Sequence, residues 1–99
     1  MLNYKLTNKA VEDLSTIWDF ASEGWSETQA DKYYDILLDF CLDLANQNIS
    51  GNHYPEINEE VFGIIAGQHI IFYRIYKNKR IEVVRILHSR MDLKNRLHE

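Results

Sequence analysis

The sequence predicts an α+β fold in the order β-α-α-β-β-β with a short C-terminal helix: a helical hairpin packed on a small, mostly antiparallel sheet. Three observations predict it. Apolar residues recur at helical spacing in two stretches of the first half, and only a few residues separate them. From Val61 onward the apolar residues gather instead into short runs rich in β-branched and aromatic side chains, divided by turn residues. One proline, Pro55, and four glycines leave no linker, repeat or low-complexity segment, so the 99 residues are expected to form a single domain, 1–99.

Leu2, Tyr4 and Leu6 alternate with polar residues and predict a short strand. Thr7 can cap the helix that follows. Its apolar stripe is Ala10, Leu14, Ile17, Trp18 and Ala21, and Gly24 is expected to end it as a glycine C-cap. Ser26-Glu27-Thr28-Gln29 reads as a capping box opening a second helix. Ala30, Tyr33, Leu37, Phe40, Cys41, Leu44 and Ala45 line one side of it. Asp31, Asp35, Asp39 and Asp43 line another, where like charges at this spacing repel. Packing, or a basic partner, must offset that.

Asn46 to Glu60 is polar and reads as a loop. Val61–Ala66 reads as a strand and Gly67-Gln68 as a turn. Gln68–Tyr76 is a stronger strand, and Lys77-Asn78-Lys79 a hairpin turn in which Asn can take positive φ. Ile81–Leu87 is nearly continuous in β-branched residues, which predicts a central strand buried on both faces. Ser89–Leu97 can form the terminal helix, with Ser89 as its cap.

The totals narrow the class. Hydrophobic content of 45% and twelve aromatic residues suit a folded globule. A single cysteine, Cys41, excludes an internal disulfide and suits a reducing compartment. No apolar run approaches the roughly 20 residues needed to cross a bilayer. The first residues lack a signal peptide's basic and apolar regions. A cytoplasmic protein is therefore expected. The net charge of −4 is unevenly spread: nine of 15 acidic residues lie between Glu12 and Asp43, and eight of 11 Lys and Arg lie from Arg74 onward. Either these are ordinary solvated faces or the basic end meets an anionic group or acidic partner. CxxC, HExxH and glycine-rich phosphate motifs are absent, and no metal or cofactor is expected.

The C-terminal text carries a resemblance. Phe72-Tyr73-Arg74, then Val84-Arg85-Ile86-Leu87-His88-Ser89-Arg90-Met91-Asp92, resembles the signature of the ParE branch of the RelE/ParE toxin superfamily. Ala10-x-x-Asp13-Leu14-x-x-Ile17-Trp18 and Trp25-x-x-x-Gln29-Ala30-x-x-Tyr33 resemble its first and second helices. The resemblance implies the toxin of a type II toxin-antitoxin system, neutralised by a ParD-like antitoxin. It further implies a protein that holds DNA gyrase on cut DNA without chemistry of its own. No membrane partner and no sequence-specific nucleic-acid binding are expected. RelE-type relatives share the scaffold but cut mRNA on the ribosome, and a non-toxic relative that only binds antitoxin is a third reading.

Metal-free RNA cleavage needs a base for the 2′-hydroxyl, cations for the phosphorane and an acid for the leaving oxygen. Glu59-Glu60-Val61-Phe62-Gly63 offers no cation where ribonuclease relatives carry lysine or arginine, and its carboxylates repel phosphate. His69 is either a weak phosphate contact or a half-buried strand residue. His88 and His98 can supply acid or base, and Arg85, Arg90 and Arg96 can hold phosphate, so only one side of such a site is furnished.

The toxic surface is accordingly expected at Arg85, His88, Arg90 and Asp92. Each has a structural alternative: Arg85 can pair with an acidic helix residue, His88 can simply end the strand, and Asp92 can serve a helix N-terminus. Leu14, Trp18, Tyr33, Tyr34 and Arg74 are expected to receive the antitoxin, which should cross the helical hairpin and lie against the sheet. Trp25 is expected to plug the interhelical turn, and Cys41 to be an inert core residue.

Overall fold

The computed structural model describes residues 4–90. The predicted terminal helix from position 91 on, with Met91 and Asp92, lies outside the described residues. β1 spans Tyr4–Leu6, α1 Asn8–Gly24, α2 Glu27–Ala45, β2 Asn52–His53, β3 Phe62–Ala66, β4 His69–Ile75 and β5 Ile81–His88, with a 3₁₀ turn at Lys77–Lys79. The strands form one sheet in the order β1-β5-β4-β3-β2. All pairings are antiparallel except β1 with β5, which is parallel.

The helices begin where polar side chains satisfy orphan backbone donors. Thr7 Oγ1 accepts the Ala10 N–H at 3.1 Å and donates to the Val84 carbonyl at 2.9 Å, so one hydroxyl caps α1 and ties it to β5. Ser26 Oγ accepts the Gln29 N–H at 3.1 Å to start α2. The expected glycine C-cap is not formed. Gly24 is the last helical residue, and Trp25 is the C-cap, its N–H donating to the Ala21 carbonyl. An ordinary α-type bond, with no left-handed residue, closes the helix.

Two further expectations are corrected. The Asn46–Glu60 segment is not all loop, since Asn52 and His53 pair with Gly63 and Phe62 as the edge strand β2. The left-handed residue of the β4–β5 turn is Lys79, at φ 59°. Gly67 takes φ 63° in the β3–β4 turn, as its position there requires.

The sheet separates two apolar clusters. The larger lies between sheet and helices and includes Leu14, Leu37, Cys41, Ile71, Val83 and Ile86. The smaller lies on the other face, where Val61, Ile70, Phe72 and Leu87 are covered by Tyr54 and Ile57. β5 is thus covered on both faces, as its β-branched run predicts. Burial pushes the Cys41 thiol up to about 12, consistent with an inert core residue.

One irregularity matters for the site. Phe72 faces Arg85 and Tyr73 faces Val83, leaving Val84 as an extra residue in β5. This bulge breaks the alternation. Val84 packs with the Phe72 cluster, whereas both Arg85 and Ile86 lie toward the helices, Arg85 through its ion pair and Ile86 through the larger core.

Candidate functional site

Two features stand at the end of the sheet beside α1 and the interhelical turn. The first is a polar anchor. Asp13 of α1 accepts Arg85 Nε at 2.8 Å and Arg85 Nη2 at 3.0 Å, a bidentate pair, and also accepts the Ile86 N–H at 2.9 Å. β1 ends its pairing at Val83, so Asp13 serves the stretch of β5 edge left without a strand neighbour. Both side chains are largely buried, at 12% and 14% exposure. The forked guanidinium fits the carboxylate, and the pair is shielded from water.

The second feature is a groove of about 400 Å³. Ile17, Phe20 and Ala21 of α1 form one wall, Trp25 and Tyr33 close the turn end, and His69, His88 and Arg90 form the sheet end. His69 opens β4 and His88 closes β5, and the two are directly paired across the strands. Their rings meet edge to face with centroids 5.3 Å apart.

Tyr33 of α2 locks this corner. Its hydroxyl lies 2.6 Å from His69 Nδ1 and accepts the Gln68 N–H at 3.1 Å. The Trp25 ring packs edge-on against the Tyr33 ring at 6.2 Å. Gly67 makes room: a Cβ there would lie 2.8 Å from the Tyr33 hydroxyl. Burial lowers the pKa of His69 to about 4, with His88 adding to the fall and Asp13 opposing it. His69 is therefore neutral at pH 7. Burial raises the Tyr33 pKa, against the opposing bond from Gln68.

The structure brings His88 and Arg90 together on the groove. It ties Arg85 to Asp13 beside a smaller cavity of about 220 Å³ that His69 and His88 also line. Asp92 lies outside the described residues. The residues expected to receive a partner are less well gathered. Tyr33 lines the groove. Trp18 is half-buried and donates its Nε1–H to Asp31 at 2.8 Å. Tyr34 is half-buried against the larger core. Leu14 is a core residue at 1% exposure, so it supports the domain and offers no surface. Arg74 shares the face of Ile70 and Phe72 by strand alternation, away from Trp18 and Tyr33.

Trp25 is no buried plug, being 60% exposed, and Phe20 is 78% exposed. Phe20 was missed because it sits beside the apolar stripe of α1 and not on it. The signal is its grouping with the exposed Trp25 on one groove, since a single exposed aromatic is ordinary and a contiguous patch is not. Among the described residues, no cluster of three or more His, Cys, Asp or Glu is arranged to hold a metal ion, and no helix is long and apolar enough to cross a membrane.

Residues 4–93 match the family model described as ParE toxin of type II toxin-antitoxin system, parDE. The chain belongs to the ParE toxin family. Toxin ParE1 of Mycobacterium tuberculosis is 36% identical over 95 residues, covering 95% of this chain and 96% of that protein. Toxin ParE1 of Caulobacter vibrioides is 28% identical over 97 residues, covering 98% and 99%. A solved chain of the chromosomal ParDE system from P. aeruginosa superposes with a TM-score of 0.75 at 22% identity, covering 89% of this chain and 96% of that one. That likeness is one of fold.

Proposed function

We propose that this ParE-family toxin inhibits DNA gyrase without performing chemistry of its own, and that a ParD-like antitoxin holds it in check in the cytoplasm. The observation that carries the non-enzymatic part is the state of its cations. Arg85, the arginine embedded in β5, is neutralised by Asp13 at 2.8 Å. β3 carries no lysine or arginine at all, reading Phe-Gly-Ile-Ile-Ala. A phosphorane bears its charge on equatorial oxygens and needs fixed positive groups close by. β3 supplies no such group, His69 is neutral at physiological pH, and Arg74 lies on the sheet face away from the His69–His88 pair, which leaves Arg90 as the one cation on the groove among the described residues.

The antitoxin part is supported by the exposed aromatics. Phe20 and Trp25 flank an open apolar groove on the helical hairpin, a surface suited to a partner segment.

The competing reading, an mRNA endonuclease acting on the ribosome, draws on His69, His88 and Arg90 sharing one groove. Purified toxin added to translating ribosomes with a defined mRNA separates the two. Intact message at a molar excess of toxin is expected, and discrete cleavage within codons would move the function to the second reading.

A further inference from the structure

We propose that the groove between α1 and the β4–β5 strand ends is a two-part subsite for a partner peptide that presents a large apolar side chain next to a carboxylate. The identity of that peptide as antitoxin rests on the function proposed above; the chemistry of the subsite does not.

The argument is one of hydrogen-bond accounting. His88 Nδ1 accepts the Arg90 N–H at 3.1 Å, so the neutral ring carries its proton on Nε2. The Tyr33 hydroxyl has two acceptors for its own proton: the Ala66 carbonyl at 3.4 Å and His69 Nδ1 at 2.6 Å. The shorter contact takes it, which assigns the proton of neutral His69 to Nε2 as well. The low pKa of His69 keeps that ring neutral at pH 7. Neither Nε2–H has an acceptor among the described residues, and the Arg90 guanidinium makes no ion pair among them.

Among the described residues the sheet end of the groove therefore offers a cation and two N–H donors, while the nearby carboxylate of Asp13 is engaged by Arg85 and the Ile86 N–H. Ile17, Phe20 and Trp25 supply aliphatic and aromatic surface, with the polar side chains of Thr16 and Gln68 also on the lining. Glu23 and Glu27 flank Trp25 in sequence, so the turn end repels an anion while the His88–Arg90 end attracts one. An occupant is thereby oriented: apolar body toward Phe20 and Trp25, carboxylate toward Arg90. A volume of about 400 Å³ accommodates one aromatic residue with its flanking groups.

The test uses the full chain, ¹⁵N-labelled, and two small probes: N-acetyl-L-phenylalanine as its carboxylate and the neutral N-acetyl-L-phenylalanine amide. Titration at pH 7 is followed at the Trp25 indole and the His69 and His88 ring signals. The carboxylate should shift all three and bind about fivefold or more tightly than the amide. Arg90→Gln, at an exposed position, should bring the carboxylate down to the level of the amide. Equal binding of the two probes, shifts elsewhere only, or full discrimination retained in Arg90→Gln would each overturn the subsite. Antitoxin binding is measured separately on the unmodified chain, so its failure would remove the partner and leave the titration to decide the subsite.

Discussion

Asp13 and Arg85, 72 positions apart in the chain, form a bidentate ion pair that joins α1 to the bulged strand β5. The same carboxylate takes the Ile86 N–H. Arg85 is thus engaged in holding α1 at the sheet edge, and α1 also forms one wall of the neighbouring groove.

Removing one partner should be costly. Asp13→Ala removes the carboxylate that a largely buried guanidinium and a strand N–H share, and should destabilise the protein by about 3 kcal/mol. Urea unfolding with an unchanged m-value measures it. Replacing both, Asp13→Leu with Arg85→Met, should recover part of the loss, because the buried charge is gone while the Ile86 N–H still lacks its acceptor.

Stability should depend on pH through His69. Its pKa in the fold is about 4, against an ordinary 6.5. As pH falls, the unfolded chain takes up this proton first, so the contribution is fully present above about 6.5 and declines toward pH 4. Melting temperature should fall across that window, and His69→Gln should flatten the slope. An equal slope in the variant would assign the acid sensitivity to other groups.

Glycines 24 and 51 should respond to alanine in opposite directions. Nothing lies within 4 Å of a Cβ on Gly24, a helical residue, so Gly24→Ala should stabilise by up to about 1 kcal/mol. A Cβ on Gly51 would lie 2.8 Å from the Gly63 carbonyl carbon and 2.9 Å from the Tyr73 hydroxyl. Backbone cannot swing aside, so Gly51→Ala should cost about 2 kcal/mol. Thermal melts of the two variants give both signs.

Phe20 and Phe72 separate surface from core. Phe20→Ser should change stability by less than about 0.5 kcal/mol, whereas Phe72→Ala, at a fully buried site, should cost about 4 kcal/mol. If Phe20 is a partner contact, the same Phe20→Ser should weaken antitoxin binding tenfold or more in calorimetry.

What the sequence made legible follows from how local each signal is. Thr7 and Ser26 announce their helices because a cap is a bond between near neighbours. The strand runs on either side of Lys77–Lys79 and the apolar stripes are equally local. The parallel pairing of β1 with β5 is not, since nothing in Tyr4–Leu6 encodes which strand it joins 77 residues later. β2 was hidden because Asn52 and His53 are exposed on an edge and carry no alternation. The C-cap expected of Gly24 failed because a glycine at a helix end permits a left-handed cap without requiring one.

The candidate site was legible in its members more than in its arrangement. His88 and Arg90 were singled out by the signature text. Arg85 reads equally well from the sequence as a helix partner and as a target contact, and the bulge at Val84 is what aims it at Asp13. Tyr33 and His69 meet beside the left-handed turn at Gly67, where the missing Cβ leaves room for the Tyr33 ring.

The most direct measurement is incubation of purified toxin with gyrase, ATP and relaxed plasmid, followed by detergent and protease to reveal trapped breaks. The account predicts lost supercoiling and accumulation of linear DNA, both reversed when antitoxin is added. Normal supercoiling, with no linear DNA at a large molar excess of folded toxin, would contradict it.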